Sequence, residues 1–157
     1  MRQQSSGSMP GLRGEHDGRA QRVDGENLRR RCAEVAYAVF CCEQWPIYSR
    51  FAAVVTGNVS FGRDLARSVL EELGARWPAA LRSASPAGYA WVLLTDALTP
   101  HRTDGVRTLY ETVRAAEADA LVLRHRLGCS AAVGGRVMGL SSDAFELLRR
   151  TALMKAA

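Results

Sequence analysis

Serine, carboxylate and arginine side chains are concentrated near the C-terminal end of the chain, in the stretch from Ser141 to Arg150. A serine can begin an α-helix by accepting a hydrogen bond from a backbone N–H of the first turn. The remaining N–H groups at such a helix start, together with arginine guanidinium groups, are donors that proteins offer to phosphates. A carboxylate can accept a hydrogen bond from the amino group of cytosine. The stretch therefore has the chemistry of a nucleic-acid contact.

The predicted DNA-contacting residues extend from this stretch into the segment before it. Asp143 and Glu146 are placed to read base edges, and Arg149 and Arg150 follow on the same helix, near the phosphate backbone. The full predicted set is Arg124, Arg126, Ser130, Arg136, Ser141, Ser142, Asp143, Glu146, Arg149 and Arg150. Residues 105–157 carry eight Lys or Arg and five acids, a net charge of +3. A basic surface of this kind is what phosphate binding requires.

Two helices and a tight corner are needed to position these side chains. The sequence predicts a helix over Ser130–Val137, a turn at Met138-Gly139-Leu140 and a second helix over Ser141–Arg150. This order is typical of a helix-turn-helix, whose second helix enters the DNA major groove. Gly134 and Gly135 weaken the first helix, by about 0.5–1 kcal/mol each relative to alanine. The apolar residues spaced to pack the two helices together are Val137, Leu140, Phe145 and Leu148.

The rest of the chain also has helical periodicity and no convincing strand alternation, so the predicted fold class is all-α. The first helix is predicted to begin near Asn27. Four further helices are predicted over Pro46–Val55, Ser60–Gly74, Pro86–Leu98 and Ala116–Leu127. We expect breaks at Pro46 and at Trp77-Pro78, because proline lacks the N–H that a helix interior uses. The residues expected on inner faces include Val35, Ala36, Val39, Phe40, Phe51 and Trp91.

The ends of the chain and its composition indicate a cytoplasmic protein. Residues 1–26 are rich in glycine, serine, glutamine and charge, which predicts a disordered tail with no signal-peptide core. No apolar run approaches the roughly 20 residues that span a bilayer, so no membrane partner is expected.

The sequence offers no catalytic or metal-binding constellation. His16, His101 and His125 are scattered, and the common nucleotide-binding and hydrolase motifs are missing. The four cysteines, Cys32, Cys41, Cys42 and Cys129, lack metal-ligand spacing and are expected to be buried structural thiols. We therefore expect a protein that is not an enzyme and uses no cofactor or metal.

The C-terminal pattern is shared with a known family. The residues that carry the likeness are Val122, Leu123, Arg124, Gly128, Ser130, Ala132, Val137, Met138, Gly139, Leu140 and Ser141. In this order they resemble region 4 of bacterial RNA polymerase sigma factors of the extracytoplasmic-function type. The resemblance implies a scanning helix, a turn and a recognition helix that reads promoter DNA.

An earlier part of the chain resembles region 2 of the same family. The matching positions are Phe51, Thr56, Gly57, Asp64, Leu65 and Trp91. The resemblance implies a contact with core RNA polymerase, which we assign to Asp64, Arg67 and Glu71, although Arg67 stands where the family has glutamine. The two patterns together cover about residues 30–155 in the family's order.

The resemblance also implies two small helical domains. The predicted boundaries are residues 27–98 for the region 2-like domain and 106–157 for the helix-turn-helix domain, with a linker at 99–105. Seven extended residues span at most roughly 25 Å. A linker this short predicts that the two domains touch.

The function that follows is that of a sigma-factor-like DNA-binding protein in transcription initiation or its regulation. The expected partners are the major groove of promoter DNA, core RNA polymerase, and an anti-sigma or other regulatory protein. The sequence leaves open whether the chain is a working sigma factor or a degenerate regulator. It also leaves open a helical protein–protein interaction module, derived from a sigma-like fold, that no longer binds DNA.

Overall fold

The computed structural model describes residue 7 and residues 14–157, with side chains described from residue 18 onward. Within these residues the regular structure is helical and contains no strand, which confirms the all-α class. The α-helices are α1 (Gly14–Thr56), α2 (Val59–Arg82), α3 (Pro86–Leu98), α4 (Asp104–Thr112), α5 (Ala115–Leu121), α6 (Ala131–Met138) and α7 (Ser142–Ala156). A 3-10 turn covers Thr99–His101, and a π-helical segment, the π segment, covers Val122–Arg126.

The chain divides into two compact units, Met1–Ala36 and Tyr37–Ala157. Residues of both predicted domains lie in the second unit, and they are in contact there. The Trp91 indole N–H on α3 donates to the Asp119 carboxylate on α5 at 3.1 Å. The linker is also fixed, because the Thr103 N–H donates to the Val55 carbonyl at 2.8 Å. The division into two domains remains a prediction, but the two segments do touch.

The structure differs from the predicted disordered tail. Residues 14–26 are helical and form the beginning of α1, whereas residues 1–6 and 8–13 lie outside the described part of the chain. Extending an existing helix avoids the cost of forming its first turn. A polar segment that could not nucleate a helix alone is therefore helical here.

Two predicted helix breaks are absent. Pro46 lies inside α1 and Pro78 inside α2, so the chain continues as a helix through both. A proline in a helix interior costs about 3 kcal/mol. On the C-terminal side of Pro46, Tyr48 and Phe51 are fully buried, and Trp77 and Ala80 on either side of Pro78 are buried as well. Burial of these side chains outweighs the lost hydrogen bonds, which local sequence patterns do not reveal.

The core of the second unit is built around aromatic rings. Phe51 and Trp91 are 1% and 5% exposed, which confirms the prediction that both are buried. Their ring centroids lie 4.7 Å apart, and Tyr48 meets the same indole at 5.9 Å. Gly62 lets α2 approach α1, because a Cβ there would lie 2.6 Å from the backbone nitrogen of Ala53.

Several side chains predicted to be inside are exposed. Val35 and Val39 on α1 are 63% and 50% exposed, and Ala36 is exposed as well. Cys32 and Cys42 are exposed, Cys41 is half-buried, and Cys129 is buried. The expectation of buried thiols is therefore correct for Cys129 alone. Helical spacing identified a face of α1, but spacing does not say whether another element packs on it.

None of the helices in the described chain combines the length and the apolar character needed to cross a membrane.

Candidate nucleic-acid interface

The C-terminal helices begin and end at residues that fix their geometry. The Ser130 hydroxyl accepts from the Val133 N–H at 3.2 Å and caps α6, and the Ser141 hydroxyl accepts from the Ala144 N–H at 3.1 Å and caps α7. Between them Gly139 has φ of 73°. This left-handed conformation ends a helix at little cost only for glycine. The helix, the glycine turn and the second helix thus lie where the sequence predicts them.

Gly134 and Gly135 have a packing role that sequence reasoning missed. A Cβ on Gly134 would lie 2.5 Å from the ring of Phe145, and one on Gly135 would lie 2.9 Å from the Leu140 carbonyl oxygen. Phe145 itself has no exposed surface. The two glycines therefore weaken α6 locally but allow α7 to pack closely on it. A pair of adjacent small residues was the only available signal in the sequence.

The C-terminal end of α7 is tied to the beginning of α5 by a buried carboxylate. Lys155 donates to both oxygens of Glu117 at 3.0 Å. The Arg114 N–H and guanidinium also donate to this carboxylate, at 3.1 and 3.0 Å. The Lys155 ammonium and the Arg114 donors hold the pKa of Glu117 below its usual range, although burial acts in the opposite direction. Lys155 is thus a structural contact of α7.

A second buried carboxylate links α5 to α3 and α4. Asp119 accepts from the Trp91 indole at 3.1 Å and from the Tyr110 hydroxyl. The Arg102 guanidinium lies 3.7 Å from the centroid of the Tyr110 ring. Burial raises the pKa of Asp119 to about 6, against the lowering effect of its two hydrogen bonds and of Arg102. Burial beside this carboxylate also raises the pKa of Tyr110.

The π segment places two arginines and a histidine at the surface. Arg124, His125 and Arg126 are all exposed, whereas Val122 and Leu123 are buried. The segment ends where the Arg50 guanidinium of α1 donates to the Leu127 carbonyl at 3.1 Å. π-helical turns are uncommon and occur frequently at functional sites.

The predicted DNA-contacting residues differ in how far they are available. Those that are exposed are Arg124, Arg126, Ser130, Arg136, Ser141, Ser142, Asp143 and Arg150. Glu146 and Arg149 are half-buried. Within the described chain, Arg124, Arg126 and Arg136 make no salt bridge. These three arginines are the cations most available to phosphate.

The cations of α7 are already engaged with a carboxylate. Arg149 donates through Nε to Glu146 at 3.0 Å, and Arg150 donates to the same residue at 3.2 Å. The bonds from Arg149, with the field of both guanidinium groups, lower the pKa of Glu146 to about 2. Glu146 is therefore ionised at neutral pH, and the three side chains together carry a single positive charge.

The chain matches no protein-family model, no curated protein and no solved structure.

The residues predicted to contact polymerase share one exposed face of α2. Asp64, Arg67 and Glu71 are all exposed, and Arg67 pairs with Asp64 at 3.5 Å. The Arg67 guanidinium lies 5.7 Å from the centroid of the Trp45 ring. This face is separate in sequence and in element from the exposed arginines of the π segment and α6.

The sequence prediction missed an apolar component of the α7 surface. Leu147 is 66% exposed and Met154 is 75% exposed, and their spacing of seven residues puts them on the same side of the helix. Arg150 lies between them on that side and is also exposed. The outer face of α7 is therefore mixed, with one arginine between two large apolar side chains.

Among the described residues, no group of three His, Cys, Asp or Glu side chains could hold a metal ion.

Proposed function

We propose that the chain is a sigma-factor-like DNA-binding protein that acts in transcription initiation or its regulation. The observation that supports this most directly is the serine-capped helix α7, which follows α6 across a left-handed glycine. The exposed arginines Arg124, Arg126 and Arg136 lie in the π segment and in α6, which precede α7 in the chain. In a helix-turn-helix the second helix offers its N-terminal residues to base edges. Ser142 and Asp143 occupy that place on α7 and are exposed.

The affinity for DNA would come mainly from Arg124, Arg126 and Arg136. These side chains are exposed and make no salt bridge in the described structure, so no internal ion pair has to break before they meet phosphates. Contacts of this type position a protein on the duplex and carry no sequence information. Each one adds about 0.9 to the slope of log affinity against log salt concentration.

Glu146 would lower the affinity for non-specific DNA. Its carboxylate neutralises one of the two positive charges of Arg149 and Arg150 and orients both guanidinium groups. Phosphate would have to compete with this carboxylate for the two arginines. Specific recognition would then depend on base contacts from the start of α7 more than on charge.

The proposal can be tested by measuring DNA binding against salt concentration. The double variant Arg124→Ala/Arg126→Ala should bind all sequences more weakly and lower the salt slope by about 1.8 for two lost phosphate contacts. Glu146→Gln should do the opposite, raising non-specific affinity by releasing Arg149 and Arg150. Arg30→Ala provides a matched control, because it removes an exposed cation from α1 that is not among the predicted DNA-contacting residues.

If the double variant binds DNA as the parent does, the DNA-binding proposal is wrong. The same holds if Arg30→Ala reduces affinity as much as loss of Arg124 or Arg126, because the binding would then reflect net charge alone.

Contact with core RNA polymerase is the second part of the proposal. It is supported by the exposed face of Asp64, Arg67 and Glu71 on α2. Co-purification with core polymerase, followed by sequencing of the bound DNA, would test it. Replacing Glu71 by Lys should abolish co-purification while leaving DNA binding unchanged, since the residue lies on a different element. Retention of polymerase by that variant would exclude this face.

A protein–protein interaction module is the alternative, and the exposed apolar side chains of α7 favour it. Leu147 and Met154 are more than half exposed on a helix that would otherwise be expected to present polar groups to DNA. An anti-sigma or other regulatory protein could cover them. Leu147→Ser/Met154→Ser should then abolish the partner's binding, whereas the arginine variants should not. The DNA-binding proposal predicts instead that the arginine variants weaken DNA binding and that Leu147→Ser/Met154→Ser has the smaller effect.

A further inference from the structure

The N-terminal unit presents an apolar stripe that no described residue covers. Leu28 and Val35 of α1 are both 63% exposed, and Cys32 between them is exposed. The intervals of four and three residues keep these side chains on one face of the helix. Val39 and Cys42 continue the same intervals in the sequence and are exposed in the second unit. This is the spacing of a seam between two helices.

We propose that the segment 18–36 of α1 pairs in parallel with the same segment of a second copy of this chain. Most of its described side chains are exposed, and none is buried. Most of the stability of a helix in a protein comes from packing of its apolar face and not from intrinsic propensity. A second copy would cover Leu28, Cys32 and Val35 with their own equivalents.

The charges beside the stripe select the parallel arrangement. In a parallel pair, a residue that flanks the seam just before a seam position of the heptad (position g) lies next to the residue five positions later on the other helix (position e). Asp24 and Arg29 have this spacing and flank opposite sides of the stripe. Pairing therefore brings Asp24 of each copy to Arg29 of the other, which gives two opposite-charge contacts across the seam.

The antiparallel arrangement is disfavoured by the same residues. Two antiparallel segments that match Leu28 with Cys32 of the second copy would place Arg29 beside Arg29 and Arg31 beside Arg31. Like charges facing each other across a helix pair oppose association. The charge pattern is thus complementary to itself in one direction only.

Sedimentation equilibrium of the full chain at increasing protein concentration tests the proposal. The parent should approach the mass of two chains. Leu28→Glu/Val35→Glu should weaken association by at least about tenfold, because it places four carboxylates in the seam of the pair. Val23→Glu is the matched control: it is half exposed on the same helix, but its offset of five residues from Leu28 turns it about 140° away. This control should associate as the parent does.

A charge exchange tests the direction of pairing without touching the apolar stripe. Asp24→Arg and Arg29→Asp should each weaken association, and the double exchange should restore it. Strengthened association of Arg29→Asp alone would overturn the parallel arrangement, since that change relieves a repulsion only in the antiparallel one. A parent chain that stays monomeric, or a seam variant that stays dimeric, would overturn the pairing. Monomers that bind vesicles of anionic lipid through the stripe would overturn it in favour of a lipid surface.

Discussion

Two buried carboxylates lie two residues apart on α5, yet their surroundings differ in charge. Glu117 is bonded to the cationic side chains of Lys155 and Arg114, whereas Asp119 is bonded to the neutral donors Trp91 and Tyr110. The pKa of Glu117 is lowered, while burial raises the pKa of Asp119 to about 6. Both side chains are almost fully buried. The contrast teaches that the charge of the partners, and not burial alone, decides whether a buried carboxyl stays ionised.

The largest expected effect is on Asp119, which joins three helices. Asp119→Ala should reduce the free energy of unfolding by about 3–4 kcal/mol near pH 4, below the folded pKa of Asp119, because it leaves the Trp91 indole and the Tyr110 hydroxyl buried without an acceptor. Urea unfolding would measure the loss. Asp96→Ala, which removes an exposed acid from α3, should change stability by less than about 0.5 kcal/mol. Equal effects of the two changes would show that Asp119 is not a structural link.

A change of pH should alter the contributions of Asp119 and Glu117 to stability in opposite directions. The pKa of Asp119 is about 6 in the folded chain and 3.8 in its ordinary state, so the folded state binds the extra proton between these values. Asp119 therefore loses its stabilising contribution as pH rises from about 4 to 6, by up to about 3 kcal/mol. Glu117 has a lowered pKa, so its contribution is lost as pH falls below its ordinary titration range.

Unfolding measurements across this pH range would test the sign for Asp119. Asp119→Asn should remove the loss of stability between pH 4 and 6, because the amide carries no titrating proton. Carbon-13 NMR of the side-chain carboxyls would show the two titrations directly. A carboxyl of Asp119 that titrates below that of Glu117 would reverse the assignment.

The smallest expected effect comes from replacing Lys155, the partner of Glu117 that reaches the surface. Lys155→Met keeps the apolar stem of the side chain and removes the ammonium. The Lys155 side chain is 44% exposed. We expect a loss of at most about 1 kcal/mol, because the Lys155 side chain is partly in solvent and the Arg114 N–H and guanidinium still donate to the buried Glu117 carboxylate. The pKa of Glu117 should rise at the same time, since the ammonium is the largest cause of its lowering. An unchanged titration of Glu117 in this variant would contradict the assigned ion pair.

The short-range parts of the fold were predictable from the sequence. Ser85 and Pro86 mark the start of α3, and Ser130, Gly139 and Ser141 mark the ends of α6 and α7. Each of these signals acts within one helical turn, where local chemistry decides the conformation. The predicted boundaries of α3 are those observed, and α6 and α7 begin at the predicted serine caps.

Features that depend on distant residues were not predictable. Pro46 and Pro78 looked like helix breaks because the aromatic burial that offsets their cost involves other helices. The bond from Trp91 to Asp119 joins residues 28 positions apart, and no local pattern reports it. For the candidate site, the sequence identified the exposed arginines. It also offered a signal for the bonds of Arg149 and Arg150 with Glu146 that the prediction left unused, because residues three and four positions apart are neighbours on a helix.

The contact from Arg50 to the Leu127 carbonyl joins residues 77 positions apart. During synthesis, α1, α2 and α3 leave the ribosome long before residue 127 does. Helices and local turns form within microseconds, but this hydrogen bond closes a long loop and can form only after residue 127 has been made. A nascent chain that stops before residue 127 therefore leaves the Arg50 guanidinium without this acceptor. Arg50 of α1 therefore gains this contact only after α2, α3, α4 and α5 have been made.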